Sequence, residues 1–377
     1  MLQSALRSAL AIAALAFTTS LLAADIVVGQ VTPLSGPLAP TGNMIRAGAQ
    51  LYFDTINAGG GIHGAKLKLV SRDDAYKAAE TVRLAKEMIK ELQPTALIGV
   101  VGTGNVEALL KEKVPEESGT ALIGVRTGAS TVVSSGNPWL FLTRASYADE
   151  ISKIVQQYET TGYRNFAVFY QNDPFGLDGL ASAEAIIKQQ GGKLVAKGAY
   201  EKNTTDVAAA VKAIAAGSPQ AVIMVSNTAA SAEFVKQSRA AGNLAQFVAL
   251  SVTDGPQVVE RIGADAAKGL AVTQVVPDPN ARSVPLIREI QETHKKYAAK
   301  DTVLNHTMIE GYIAAKILCE GLKRAGANPT RKKLRDTLEG MREYDIGGQY
   351  IAFSPSSHSG MNYVDITILN REGKLLR

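Results

Sequence analysis

Twice along this chain, short runs of aliphatic and β-branched residues alternate with helical periods, and the pattern restarts midway. The first series reads as strand Ile26–Val31, helix Gly42–Asn57, strand Ala65–Ser71, helix Ala78–Leu92, strand Ala96–Ile98, a helix from Asn105 to about Glu116 and strand Ala121–Val125. An extended run, Trp139–Arg144, leads out of it. The second series reads as helix Tyr147–Thr160, strand Asn165–Tyr170, helix Phe175–Gln190, strand Lys193–Ala199, helix Asp206–Ala215, strand Ala221–Val225, helix Ala229–Ala241 and strand Phe247–Leu250. A helix between two strands carries the chain back to where the previous strand began, so strand neighbours are mostly parallel. The expected fold is α/β, with two doubly wound lobes.

After another extended run, Gly269–Val276, come helices Val284–Ala299, Thr307–Ala325 and Thr330–Glu339, then strands Tyr350–Phe353 and Asn362–Leu369. The chain therefore crosses between lobes more than once. We assign 25–143 and 277–349 to the first lobe, and 144–276 and 350–377 to the second. A ligand site belongs between them, at the carboxyl ends of the strands.

The stretch Ala96–Leu110 (ALIGVVGTGNVEALL) is the candidate seat. A buried strand runs into Gly99, Gly102 and Gly104, and a helix then begins whose first N–H groups have no partner within the helix. Such a start holds a carboxylate or phosphate if it faces a cleft, and the Thr103 hydroxyl adds a donor or acceptor. The third glycine of a dinucleotide fingerprint is Glu107 here, so that motif is not formed. Arg126 follows a strand, where its guanidinium either clamps a carboxylate or sits solvated on the lobe edge. Tyr147, Tyr170 and Phe175 are either walls for an apolar ligand or packing at strand ends. Asn172 and Asp173 suit a helix cap, a cleft contact, or both.

Several classes are excluded or disfavoured. The formal net charge of +5 is spread over the chain without the clustered basic face of a nucleic-acid binder. No G-x-S-x-G elbow, Walker A loop or paired carboxylates occur, so neither an enzyme nor a cofactor is expected. His63, His294, His306 and His358 have no partners at metal-ligand spacing. The single cysteine, Cys319, falls on the apolar face of a helix and reads as a buried hydrophobe. Residues 1–24 read as a secretory signal peptide, with one charge at Arg7, an apolar run Ala9–Ala16 and cleavage near Ala23 or Ala24. No later run approaches membrane-spanning length.

The segments Val28–Gly42 (VGQVTPLSGPLAPTG), Ile56–Ile62 (INAGGGI), Arg72–Ala75 (RDDA), Ile98–Thr103, Tyr170–Gly176 (YQNDPFG), Val235–Gly242 and Ala266–Gln274 together resemble periplasmic leucine/isoleucine/valine-binding proteins. The resemblance runs in order over nearly the whole chain after residue 24. It implies a type I periplasmic binding protein fold with three hinge crossings. It also implies capture of a small carboxylate, an apolar amino acid or an aromatic or aliphatic organic acid, for an inner-membrane ABC permease, by a periplasmic protein acting as a monomer. A sensor on the same fold without transport is the alternative.

Residue by residue, the resemblance places the ligand carboxylate at the turn Val101–Gly104, with Gly102, Thr103 and Gly104. A second backbone segment is Arg126, Thr127 and Gly128, an aromatic wall is Phe175, and Ser226 and Asn227 follow a strand of the other lobe. Tyr147, Tyr170 and Asn172 complete the expected set. The acidic residue that pairs with a ligand ammonium in amino-acid binders is matched by Ser251, which carries no charge. Asp173 or Asp254 would then have to supply it. The disulfide of some relatives is replaced at both ends, by Tyr76 and Gly102.

Overall fold

A computed structural model describes residues 24–377, so nearly all of the expected signal segment lies outside the described residues. Five strands, β1 (Ile26–Thr32), β2 (Leu67–Asp73), β3 (Ala96–Ile98), β4 (Ala121–Ile123) and β5 (Leu140–Phe141), form a parallel sheet in the order β2-β1-β3-β4-β5. Strands β3 and β4 are apolar at every position and fully buried, as strands covered on both faces must be.

The second sheet contains β6 (Asn165–Gln171), β7 (Lys193–Tyr200), β8 (Ala221–Val225), β9 (Gln246–Ala249) and β10 (Ala271–Gln274), all parallel. A small ribbon, β11 (Tyr344–Asp345) with β12 (Tyr350–Ile351), precedes β13 (Asp365–Leu369) and β14 (Leu375–Leu376). The last two extend the second sheet antiparallel at one edge, giving the order β14-β13-β10-β9-β8-β6-β7. The two lobes expected from the alternation are present. The chain passes between them three times, after β5, after β10 and before β13.

Helix His306–Ala325 returns to the first lobe and packs along helix Ala39–Ala58. The approach is close enough that a Cβ on Gly48 would overlap the Met308 carbonyl, and one on Gly311 the Ile45 carbonyl. Glycine is required at this crossing because the two backbones touch. Cys319 lies on the same helix, fully buried, and burial pushes its thiol pKa up.

Three expectations change. The single helix expected from Asn105 to Glu116 is two, Thr103–Lys111 and Val114–Ser118, broken where Lys113 turns left-handed just before Pro115. Helix Gly255–Ile262 was hidden by its Gly-Pro start, which here supplies a proline in the first turn behind an Asp254 cap. Residues 350–361 pack with the first lobe rather than the second. Ile351, Phe353 and Met361 join its core, and Phe353 meets Phe141 edge-on at 5.2 Å. Apolar side chains on a strand-poor segment go to whichever core is open beside them.

Candidate functional site

The carboxyl ends of both sheets face each other. On the first lobe, Val101 and Arg126 form an isolated bridge beyond β3 and β4, and the Gly102 N–H donates to the Arg126 carbonyl at 3.2 Å. This puts the start of helix Thr103–Lys111 beside the Arg126 side chain. Leu38, Ile45, Tyr76 and Val101 form a small apolar cluster next to it. On the second lobe, Asp173 caps helix Pro174–Gln189 through the Phe175 and Gly176 N–H groups at 3.1 and 3.3 Å, aiming Phe175 inward. Its ring lies 5.2 Å from that of Tyr147.

Ten residues from both lobes enclose a cavity: Leu38, Thr41, Tyr76, Val101, Gly102, Arg126, Tyr147, Phe175, Asn227 and Val252. About 20 Å³ of it is open to the centre of a water molecule, and residues of the two lobes touch around it. Gln171 donates to the Tyr76 hydroxyl at 3.3 Å, and Ser130 donates through its N–H to Asp178 at 2.9 Å. Lys202 places its ammonium 3.8 Å from the Tyr76 ring centroid and donates to Asn105 Oδ1 at 3.2 Å. Pro174 lies against Gly104, so the expected seat is covered by the opposite lobe.

Of the residues expected from sequence, Gly102, Arg126, Tyr147, Phe175 and Asn227 line this cavity. Thr103 and Thr127 lie just behind the wall, fully buried, with their hydroxyls 2.7 Å apart. Thr127 also lies near the Tyr147 phenol, whose pKa is raised by burial. Gly128 is structural here: its carbonyl accepts from the Tyr147 N–H at 2.8 Å, and a Cβ there would strike the Ala145 carbonyl.

The others are placed elsewhere. Ser226 is buried in hydroxyl contacts with Ser231 at 2.7 Å. Asn172 turns away to Glu201 at 2.8 Å, and Tyr170 packs half-buried at the end of β6. Four wall residues were not anticipated as contacts, Leu38, Thr41, Tyr76 and Val252, whereas Val101 comes from the expected turn.

Arg126 is not the solvated edge arginine that was one alternative. It is 2 % exposed, pairs with Glu310 and donates to the Ser251 carbonyl at 3.0 Å. Glu310 also holds Arg144 at 3.1 Å, and Arg144 holds Glu150 at 2.9 Å. Burial works against the Arg144 charge, but Glu310 and Glu150 more than offset it and raise its pKa. Two guanidiniums and two carboxylates thus balance inside the protein at the junction of the lobes. Ser251 sits in this network: its N–H and hydroxyl donate to Glu150 at 2.8 and 3.0 Å. An aspartate at 251 would meet Glu150, which explains the uncharged side chain.

His306 begins the helix that carries Glu310. Burial pushes its imidazole down to about 4, Arg126 acts in the same sense, and Nε2 has no partner. Above pH 6.5 it is neutral in both folded and unfolded states. As pH falls from 6.5 towards 4 the unfolded state takes the proton first, so up to about 3 kcal/mol of stability is lost across that window. Thermal melts of His306→Gln against the parent should show a shallower acid-side slope between pH 6.5 and 4; parallel slopes contradict this.

Two facing α/β lobes, with an enclosed, partly aromatic cavity at their strand ends, define a class of two-lobed binding proteins. The periplasmic binding protein family model matches residues 25–374, and the chain belongs to that family. A substrate-binding periplasmic protein from Ralstonia solanacearum is 38% identical, covering 93% of this chain and 99% of its own, with a TM-score of 0.89. A possible leucine/isoleucine/valine-binding protein from Rhodopirellula baltica is 27% identical over 96% and 98%, with a TM-score of 0.88. Leu/Ile/Val-binding protein homolog 7 of Brucella suis is 24% identical over 330 residues, 84% of this chain and 81% of the relative. The fold is the type I periplasmic binding protein fold, and the family is one of extracytoplasmic solute-binding proteins. Among the described residues, no helix is long and apolar enough to cross a membrane.

Proposed function

We propose that this protein captures a small carboxylate, an apolar amino acid or an aromatic or aliphatic organic acid, between its lobes and delivers it to an inner-membrane ABC importer. The observation that carries this reading is the cavity wall. It combines the Arg126 guanidinium and the start of a nine-residue helix with the rings of Tyr76, Tyr147 and Phe175. A cation and the positive end of a helix favour an anion, and the rings favour an apolar tail. Contact with both lobes stabilises the closed form over the open one, and the importer recognises the closed shape. The lobes in this reading are 25–143 with 277–361, and 144–276 with 362–377. Export by a leader cleaved near Ala23 or Ala24 and a monomeric state belong to the same proposal.

Thr103→Val tests the seat. Removing the hydroxyl that holds Thr127 behind Tyr147 should cost about 1 kcal/mol of stability and weaken a bound carboxylate about tenfold. Chemical denaturation reads the first effect, and titration calorimetry with an acid first found by thermal shift reads the second. Unchanged affinity would remove this hydroxyl chain from the site.

A further inference from the structure

We infer that the solute is a carboxylate with an apolar tail and no α-ammonium group. This rests on the carboxylate reading above and narrows it. The cavity wall contains one cation and no carboxylate. Each acidic side chain bordering the cleft is already engaged by the protein. Glu150 takes two bonds from Ser251, one from Arg144 and one from Thr273. Glu310 is shared between Arg126 and Arg144. Asp254 accepts from the Gln257 N–H and from Asn305, both at 3.0 Å. Asp74 accepts from the Tyr76 N–H at 2.9 Å and the Thr81 hydroxyl at 2.7 Å.

Asp173 is the informative case. One of its oxygens caps the helix, and the other is buried without a hydrogen-bond donor, 3.6 Å from the Lys202 ammonium. Lys202 also reaches Asn105 and covers the Tyr76 ring. The cleft therefore carries its own ammonium beside Asp173; Asp178, the other carboxylate with an unbonded buried oxygen, holds the Ser130 N–H where the lobes meet and does not line the cavity. A ligand ammonium would have to displace Lys202 or stay unpaired in a closed space, and an unpaired buried charge is strongly disfavoured. A carboxylate without an ammonium makes no such demand.

The test is calorimetric titration of the purified protein with matched sets of acid, α-amino acid and amide. 4-Methylpentanoate, leucine and 4-methylpentanamide form one set; 3-phenylpropanoate, phenylalanine and 3-phenylpropanamide form another, flanked by shorter acids. In the best-binding set the acid should bind at least a hundredfold more tightly than the amino acid. Lys202→Met, which frees Asp173, should shrink that ratio at least tenfold. An amino acid that binds as tightly as its acid, or better, overturns the inference and leaves the carboxylate reading standing. An amide that matches its acid, or no binding by any acid or amino acid, overturns the carboxylate reading and this inference with it. An unchanged ratio in Lys202→Met overturns the part given to Lys202.

Discussion

Replacing Glu310 with alanine is expected to lower folding stability by about 3–5 kcal/mol, read as a fall in the urea midpoint at unchanged slope. Glu310 is the carboxylate shared by Arg126 and Arg144, and both guanidiniums are 2 % exposed. Its removal leaves buried Arg126 without its ion-pair partner and Arg144 paired with Glu150 alone. The loss exceeds that of any surface pair among the described residues, such as Arg83 with Glu87, where solvent screens the charges. Glu310→Gln retains a hydrogen-bond acceptor and should cost visibly less. Equal, small effects of both substitutions would mean that the network is solvated in solution. Ligand affinity should fall in Glu310→Ala as well, since Glu310 orients the arginine of the cavity wall.

The second large effect belongs to Gly102→Ala. Gly102 has φ 104° and ψ 135°, a conformation open to glycine and costly for any L side chain, by about 1–3 kcal/mol. A Cβ there would also overlap the Tyr76 ring. The substitution should destabilise the fold by at least about 2 kcal/mol and reduce ligand affinity a hundredfold or more, because the same residue lines the cavity and opens the helix beside Arg126. Adding Tyr76→Ala removes the overlap but not the backbone strain. The double variant should therefore regain part of the stability and part of the affinity. Calorimetric titration with chemical denaturation of the two single variants and the double variant separates the contributions. Additive losses would mean that the ring and the glycine do not share the space.

That pairing shows what a sequence reveals and what it hides. Strands such as Ala96–Ile98 and Ala221–Val225 were legible because burial on both faces demands an unbroken apolar run. Helices Ala78–Leu92 and Tyr147–Thr160 were legible from one apolar stripe each, and Ser146 with Asp149 closes a capping box before the second. The glycine-rich seat was visible for the same local reason.

Tyr76 was not visible as part of the wall. It reaches the cavity through two successive left-handed residues, Ala75 at φ 47° and Tyr76 at φ 61°, and nothing in an Ala-Tyr pair announces that turn. Its replacement of a half-disulfide alongside Gly102 was the one available hint. The Arg126–Glu310 and Arg144–Glu310 partnerships were hidden because the partners lie 184 and 166 positions apart, and charge spacing along a chain identifies only local partners. Asn172, a plausible cleft contact by sequence, is drawn outward by Glu201, a partner supplied by the next strand of the sheet.

Solute captured between the two lobes should close them. Interlobe distance tests it most directly. Because Cys319 is fully buried with a raised thiol pKa, spin labels on Lys86→Cys and Lys188→Cys, exposed sites on opposite lobes, report that distance selectively. Adding a solute that raises Tm should narrow the distance distribution and shift it to shorter values, and the shift should be lost in Gly102→Ala at the same concentration. A solute that saturates the protein while leaving the distribution unchanged would contradict the account.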